Sequence, residues 1–178
     1  MPSSGPSRLP YVLAALSVIA LDRITKIAVV RLVEPRGSIA VIPGFFDLTY
    51  VRNPGGVFGI LKNLDNGVRG LLFTIVPVIA IALIIAYARR IPADHRLTQT
   101  ALAAILGGAA GNLMDRFRFG YVIDFLDVYW RSYHWPAFNV ADSAICIGVG
   151  LLMAETLLSP ERASAAPAGP ETVSRDLP

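Results

Sequence analysis

Cysteine and histidine are nearly absent from the sequence, and its basic residues are scattered. Cys146 is the one cysteine, so no disulfide can form within the chain, and its apolar surroundings indicate a packing role. The two histidines, His95 and His134, lack the spacing of metal ligands, so we expect neither a metal nor another cofactor. No basic run exceeds the Arg89-Arg90 pair, so the net charge of +3 does not indicate nucleic-acid binding. Carboxylates remain the leading candidates for chemistry.

What the sequence does contain is apolar residues in long blocks. Hydrophobic residues make up 54% of the 178 residues, above the roughly 45–50% of soluble proteins. A helix needs about 20 mostly apolar residues to cross a bilayer. Four segments meet this need: residues 9–31, 70–88, 97–114 and 139–158. We therefore predict an all-α membrane protein with four transmembrane helices. Residues 1–158 would form one polytopic membrane domain, and residues 159–178, rich in Pro, Ala, Ser and Glu, a disordered tail.

The arrangement of the segments predicts a topology. Arg8 and the apolar run after it resemble a signal peptide, but no small-x-small site follows and the run is long enough to span, so we expect a retained first helix. An even number of helices places both termini on the side of the short basic turn at residues 89–96, which favours the cytoplasm. On the other side, residues 39–42 and 47–52 are β-branched and aromatic and are separated by Pro43-Gly44. These two segments are predicted to pair as a small sheet outside the bilayer.

Polar residues are predicted to converge at one leaflet. Helix direction alone brings together groups from the second half of the first helix, the end of the third and the start of the fourth. They are Asp22, Lys26, Asn112, Asp115, Arg116, Asn139 and Asp142, and Arg69 at the start of the second helix lies toward the same leaflet. An ionisable group at the centre of a membrane helix costs about 2.5–3.5 kcal/mol, which makes each one a functional candidate. Asp22 and Lys26 are spaced for an i,i+4 pair, and they could equally be a helix-end pair that reaches to the interface.

Two aspartates are the candidates for catalysis. Asp142 falls in the first turn of the fourth predicted helix, where its alternative role is N-terminal capping shared with Asn139. Asp124 lies in an apolar run expected to be a loop after the third helix, where its alternative role is an ion pair with Arg116 or Arg118. If the aspartates lie close together, one keeps a proton while the other is ionised. Such a pair can activate water and protonate a leaving nitrogen, as in an aspartic peptidase.

Two glycine-containing segments complete the set of candidates. Gly107 and Gly111 have the GxxxG spacing that lets the third helix approach a neighbour closely. The helix face formed by these glycines carries no side chains, which also suggests room for a substrate segment beside that helix. Asn53-Pro54-Gly55-Gly56 is predicted to form a turn that contacts an extended substrate through its backbone or its amide.

Five ordered motifs cover roughly residues 9–158. The motifs are Asp22-x-x-x-Lys26, Asn53-x-Gly55-x-x-Phe58, the block from Gly107-Gly108 through Asn112 to Asp115-Arg116, Gly120-Tyr121-Val122-Ile123-Asp124-Phe125, and Phe138-Asn139-Val140-Ala141-Asp142. Together they resemble the motifs of the lipoprotein signal peptidases, the type II signal peptidases of bacteria, although Gly56-Val57 departs from the small alanines usual in the second motif.

The resemblance implies a fold, an activity and roles for particular residues. The fold would be four transmembrane helices with a small extracytoplasmic β-cradle, and Asp124 and Asp142 would be the catalytic dyad. Substrate or dyad would be positioned by Asn53, Gly55, Asn112, Arg116 and Asn139. Structural support would come from Asp22, Lys26, Gly107, Gly108 and Asp115.

The resemblance also implies a setting and partners. The enzyme would be a monomer in the bacterial cytoplasmic (inner) membrane, with both termini cytoplasmic and the active site near the extracytoplasmic face. Its partners would be membrane lipid and a diacylglyceryl-modified prolipoprotein, cut just before the lipidated cysteine. It would be a target of globomycin-type inhibitors.

Two other classes of function are weaker candidates. A small transporter or channel could use Asp22, Lys26 and Asp142 as an ion relay, but transport favours polar groups at both faces or an internal repeat, and the sequence has neither. A structural subunit would need only the glycine packing, which leaves Asp124, Asp142 and Asn112 without a purpose.

Overall fold

The computed structural model describes residues 6–55 and 65–158, which fold into long helices and a small antiparallel sheet. The tail at residues 159–178 and Gly56, Val57 and Phe58 of the loop motif lie outside these residues. Along the chain the elements are α1 (Leu9–Leu32), a short 3-10 helix (Glu34–Arg36), β1 (Ser38–Ile42), β2 (Phe46–Asn53), α2 (Asn66–Arg90), α3 (Arg96–Phe119), β3 (Val122–Trp130), β4 (Tyr133–His134) and α4 (Val140–Leu158).

Two helix ends differ by four or five residues from the sequence-based boundaries, because capping residues decide them. The α2 helix starts at Asn66, four residues before the predicted start, where the side chain of Asp65 accepts the backbone N–H groups of Gly67 and Val68. The α3 helix continues to Phe119 instead of ending at residue 114. It stops at Gly120, which has φ 79° and closes the helix in the left-handed conformation. The extra turn brings Asp115 and Arg116 into the helix.

The central element is α3, which packs against α1, α2 and α4. Glycines permit these close approaches, as the GxxxG spacing predicted. A Cβ on Gly107 would lie 2.7 Å from the carbonyl oxygen of Ala15 in α1, and one on Gly108 would lie 2.3 Å from that of Ala141 in α4. A Cβ on Gly111 would lie 2.8 Å from a carboxylate oxygen of Asp22. Two helices therefore occupy this face, and the expectation of room for a substrate segment beside these glycines is wrong.

We expect Gly108→Ala to destabilise the protein by about 1–3 kcal/mol, the usual cost of overpacking. The new methyl group would meet the backbone of Ala141, which cannot move without shifting the start of α4. Gly150→Ala is the matched control, because a Cβ at Gly150 meets no atom of the described residues within 4 Å. Thermal unfolding in detergent micelles measures both variants. Equal melting temperatures would contradict the close packing of α3 on α4.

The sheet has the order β1-β2-β3-β4, and all its pairs are antiparallel. The predicted pairing of the first two strands is confirmed, with Ser38 opposite Thr49 and Ile39 opposite Leu48. The third strand was not predicted. Asp124, expected in a loop, lies within β3 opposite Val51 of β2. The prediction failed because the first four residues of β3 are all buried, so the strand shows no alternation of apolar and polar residues.

Two helices have the length and mean hydropathy expected of membrane spans within the described part of the chain. They are residues 70–90 of α2, with a mean hydropathy of 2.7, and α4, with 1.6. In α1, by contrast, charged residues interrupt the apolar sequence. Their side chains point inward, since Asp22 is 0% and Lys26 1% exposed, while Leu16 and Ile24 on the outer side are 54% and 64% exposed. The exposed residues of α1 are therefore more apolar on average than the helix sequence as a whole.

Candidate active site

A buried ionic cluster joins α1 to α3. The ammonium of Lys26 lies 2.9 Å from Asp22 Oδ2 and 2.7 Å from Asp115 Oδ2, and it donates to Asn112 Oδ1 at 3.0 Å. The predicted i,i+4 pair is thus present. The alternative, in which Asp22 and Lys26 reach to the membrane interface, is wrong because both side chains face α3 and are excluded from the surface.

The same cluster extends to the other elements around the site. Asp22 Oδ1 accepts the backbone N–H of Ala141 at the start of α4, at 3.2 Å. Asp115 Oδ2 accepts the N–H of Ile123 in β3 at 3.3 Å, and its other oxygen pairs with Arg23. Arg23 was not singled out from the sequence, although it lies between Asp22 and Lys26. The cluster therefore fixes α1, α3, β3 and α4 relative to one another.

Asp142 sits at the start of α4 in a reciprocal capping arrangement with Asn139. The backbone N–H of Asn139 donates to Asp142 Oδ2 at 3.2 Å, and the N–H of Asp142 donates to Asn139 Oδ1 at 2.9 Å. The capping role considered for Asp142 is therefore present. Its other oxygen, Oδ1, accepts the amide of Asn112 at 2.7 Å, which links the helix start to the ionic cluster.

Asp124 is held by two asparagine amides. Its Oδ1 accepts from Asn139 Nδ2 at 2.7 Å and its Oδ2 from Asn53 Nδ2 at 2.9 Å, and the residue is 2% exposed. The ion pair considered with Arg116 or Arg118 does not occur among the described residues. Backbone bonds between Leu126 and Phe138 hold the start of α4 against β3, which places Asn139 beside Asp124.

The orientations of the three amides follow from their partners. Asn53 Oδ1 accepts the N–H of Gly55, Asn139 Oδ1 accepts the N–H of Asp142, and Asn112 Oδ1 faces the ammonium of Lys26. Backbone N–H groups and an ammonium can only donate, so each NH2 group must point the other way. All three NH2 groups therefore donate directly to the aspartates, those of Asn53 and Asn139 to Asp124 and that of Asn112 to Asp142.

Asn139 brings the two aspartates into one site, because it contacts Asp124 through its side chain and Asp142 through its backbone. Burial raises the pKa of Asp124 to about 6, and the negative charge of Asp142 contributes in the same direction. Hydrogen bonds from Asn53 and Asn139 oppose the shift without cancelling it. Near pH 6, Asp124 can thus hold or release a proton.

This raised pKa predicts a pH dependence of stability. The folded protein binds a proton at Asp124 up to about pH 6, whereas the unfolded chain releases it near 3.8. The stabilising contribution is therefore complete below about pH 4 and is lost as the pH rises through 6. Relative to Asp124→Asn, the wild type should lose about 3 kcal/mol of unfolding free energy between pH 4 and 7. Denaturant unfolding of both proteins measures this difference, and a constant difference across the range would contradict it.

A cavity of about 880 Å³ opens over the two carboxylates. Of the residues predicted for the site, it is lined by Asn53, Arg116, Asp124 and Asp142. The cavity wall also includes side chains that were not predicted as site residues: Phe73, Trp135, Phe138, Ser143, Cys146 and Ile147. A signal for some of them was present, because Cys146 follows Asp142 at the i+4 helical spacing. The cavity combines a polar, carboxylate-bearing end with an apolar wall.

The turn after β2 contributes through Gly55. Its backbone has φ 109°, and a Cβ there would lie 2.3 Å from the ring of Phe73. Glycine thus lets the turn pack on Phe73 while its N–H orients Asn53 toward Asp124. The guanidinium of Arg116 also packs over Phe73, 5.8 Å from the centre of its ring. Asn53 and Pro54 of the predicted turn therefore line the cavity.

A family model described as signal peptidase (SPase) II matches residues 14–158. The chain belongs to the signal peptidase II family. Among its relatives, the lipoprotein signal peptidase of Syntrophotalea carbinolica is 50% identical over 141 residues, which cover 79% of this chain and 86% of that protein. The lipoprotein signal peptidase of Geobacter metallireducens is 47% identical over 157 residues, covering 88% and 95%. The resemblance seen in the sequence motifs is confirmed.

Solved structures are similar to this signal peptidase II family member in fold. A bacterial membrane enzyme determined by the in meso method at 2.3 Å resolution superposes with a TM-score of 0.76 at 29% identity. It covers 90% of this chain, and the chain covers 94% of it. A second such structure, at 1.9 Å resolution, has a TM-score of 0.75 at 30% identity and covers 83% of the chain. The helices and the sheet of this chain are therefore arranged as in these two bacterial membrane enzymes.

Proposed function

We propose that this member of the signal peptidase II family is an aspartic endopeptidase with Asp124 and Asp142 as its catalytic pair. Its substrates are diacylglyceryl-modified prolipoproteins, cut just before the lipidated cysteine. The observation that carries the proposal is the pair of carboxylates linked through Asn139 at one end of a large cavity. Paired carboxylates are the machinery of metal-independent peptide hydrolysis in aspartic peptidases.

The surroundings of the two aspartates support different roles. Asp142 receives the amide of Asn112 and the N–H of Asn139 at a helix N-terminus, all of which favour its ionised form. The raised pKa of Asp124 favours its protonated form. We therefore assign Asp142 as the general base that takes a proton from water. Site-resolved titration showing the proton on Asp142 would contradict this assignment.

The reaction then follows from these protonation states. As Asp142 takes a proton from water, the resulting hydroxide adds to the scissile carbonyl, which Asp124 polarises by donating a hydrogen bond. Asp124 then gives its proton to the departing nitrogen, which breaks the C–N bond and releases the new amino terminus at the lipidated cysteine. The starting state returns when the proton that Asp142 took from water passes to Asp124. Asn53, Asn112 and Asn139 act as positioning residues. Arg116 lines the cavity and supplies a positive charge close to the carbonyl oxygen as it gains negative charge.

We also propose that all four long helices cross the membrane. Asp22, Arg23 and Lys26 of α1 take part in the buried cluster. The outer surface of α1 before its last turn is apolar, as are the outer surfaces of α2 and α4. The sheet and the catalytic cavity lie at the end of the bundle opposite to the α2–α3 turn. Basic residues in that turn favour the cytoplasm for it and for both termini. The active site is then near the extracytoplasmic face, where water is available.

The apolar wall of the cavity suits a lipidated substrate. Phe73, Phe138 and Ile147 offer apolar surface beside the carboxylates, and a diacylglyceryl group carries two acyl chains that need such a surface. A substrate of this kind cannot leave the bilayer, so the enzyme must bring water and carboxylates to the membrane surface. Globomycin-type inhibitors would compete for the same cavity.

The test is a gel-shift assay of purified enzyme with lipidated and unlipidated forms of one precursor. We expect the lipidated form to be cut and the unlipidated form to be cut poorly, because it lacks the acyl chains that the apolar wall binds. Globomycin should block cleavage of the lipidated form. Equal rates on both forms would contradict recognition of the lipid, while cleavage of neither form would contradict the peptidase assignment itself.

A further inference from the structure

A second cavity, of about 340 Å³, lies between the second half of α1 and the end of α3. In the part of the chain that the structure describes, it shares no lining residue with the catalytic cavity. The strand β3 separates the two, because Asp124 lines one and its neighbour Ile123, which points to the opposite face of the strand, lines the other. Among the described residues, its wall holds four basic side chains and no carboxylate. We name it the basic groove, after Arg23, Lys26, Arg31 and Arg118.

The basic groove carries excess positive charge. Lys26 and Arg23 are compensated from behind by Asp22 and Asp115. Arg31 and Arg118 form no ion pair within residues 6–55 and 65–158, and Arg118 only lies over the ring of Phe119. Four basic side chains against two carboxylates leave two positive charges uncompensated. A groove of this kind favours an anion.

The depth of the basic residues distinguishes the groove from ordinary helix ends. Arg31 and Arg118 are in the last turns of α1 and α3, where any cation interacts well with the helix carbonyls. Arg23 lies eight residues before Arg31, about 12 Å deeper along α1. Its Nε is buried and has no acceptor in the described part of the chain. An isolated N–H of this kind is costly, and the exposed part of the Arg23 side chain, 20% of its surface, lines the groove.

We propose that the basic groove binds the phosphate headgroup of an anionic phospholipid, represented by phosphatidylglycerol. Arginine presents a planar fork that matches phosphate oxygens, and basic pockets between membrane helices bind anionic headgroups. Ile27, Val30 and Phe119 line the groove beside the basic groups, and Ile27 is 50% exposed. This apolar surface can hold an acyl chain, which a free phosphate ion does not have. The proposal rests on the membrane insertion of α1 and α3 proposed above.

The groove also shares two residues with the ionic cluster behind the catalytic pair. Arg23 and Lys26 line the groove and both contact Asp115, which holds the N–H of Ile123 next to Asp124. A bound phosphate would therefore hold these side chains in place from the lipid side. We expect phosphatidylglycerol to raise the melting temperature of the protein.

The test is native mass spectrometry of the delipidated full chain in detergent, titrated with phosphatidylglycerol, phosphatidylethanolamine or inorganic phosphate. We expect a preference for phosphatidylglycerol. The double variant Arg31→Gln/Arg118→Gln should bind it roughly 30-fold more weakly, because each arginine near an anionic lipid is worth about fivefold. The matched control, Arg89→Gln/Arg90→Gln, removes two arginines from the end of α2 and should change binding by less than about twofold.

Three results would overturn the proposal. These are unchanged binding in the groove variant, equal weakening in the control, and displacement of phosphatidylglycerol by inorganic phosphate alone, which would indicate a site for the free ion. The preference of the wild type for phosphatidylglycerol, and its loss at high salt, tests the groove without any substitution. Binding is read independently of cleavage, so Asp124→Asn protein should bind the lipid normally. A result that refutes lipid binding in the groove can therefore be distinguished from one that refutes the catalytic assignment.

Discussion

Replacing either Asp124 or Asp142 by asparagine should lower cleavage of a lipidated precursor by roughly 10²–10⁴-fold, the usual contribution of a positioned acid or base. Each variant keeps a side chain of the same size. At Asp124 the new amide would place one NH2 group against that of Asn53 or Asn139, at a cost of about 1 kcal/mol, so the protein should remain folded. The double variant should lose little more than either single one, because the two residues act as a unit.

The matched control is Asp127→Asn. Asp127 lies on the same strand as Asp124, but it is paired with His134 outside the cavity, at 3.0 Å. We expect this variant to cleave at nearly the wild-type rate. Gel-shift kinetics on purified, detergent-solubilised protein measure all four variants, and the melting temperature reports on folding. Normal cleavage by Asp124→Asn or Asp142→Asn would disprove the catalytic assignment.

Lys26→Met should destabilise the protein by about 3–5 kcal/mol, the cost of removing one partner from a buried ion pair. Methionine keeps the length of the side chain but leaves the carboxylate of Asp22 without its cation, in a site with 0% exposure. Asn112 Oδ1 loses its contact with the ammonium, which fixes the orientation of the amide. The hydrogen bond from Asn112 Nδ2 to Asp142 should therefore weaken as well. We therefore expect reduced cleavage even at temperatures at which the variant is folded.

Two further variants test the cause of this loss. Adding Asp22→Asn to Lys26→Met removes the unpaired charge and should recover part of the stability. Glu34→Gln removes the exposed ion pair between Glu34 and Arg52, whose side chains are 34% and 59% exposed, and should cost less than about 1 kcal/mol. Unfolding in detergent measures the series. A loss for Lys26→Met as small as that for Glu34→Gln would show that the cluster does not stabilise the fold.

The pattern along the chain was sufficient to predict the helical core and part of the sheet. Long apolar blocks indicated the four helices, and β-branched segments around Pro43-Gly44 indicated the pairing of β1 with β2. These features are local, so a single sequence displays them. Helix direction was also enough to place Asn112, Asp115 and Asp142 at one end of the bundle.

Asp124 shows where this kind of prediction stops. Its strand is buried on both faces at its beginning, and it owes its place to β2, which precedes it by some 70 residues, and to Phe138 at the start of α4. No local pattern records such pairings. The same holds for Lys26, whose sequence spacing fits an exposed helix pair as well as a buried cluster, until α3 is packed against it.

Asp124 and Asp142 show the difference between what the sequence determines and what the tertiary structure decides. The sequence by itself determined that Asp142 begins a helix at the polar end of the bundle, because capping and helix direction are properties of neighbouring residues. Only the tertiary structure decided that Asp124 joins it, that Asn139 links the two, and that Asp22 and Lys26 are buried behind them. These features depend on contacts between α1, α3, β3 and α4, whose side chains meet only when the bundle is assembled.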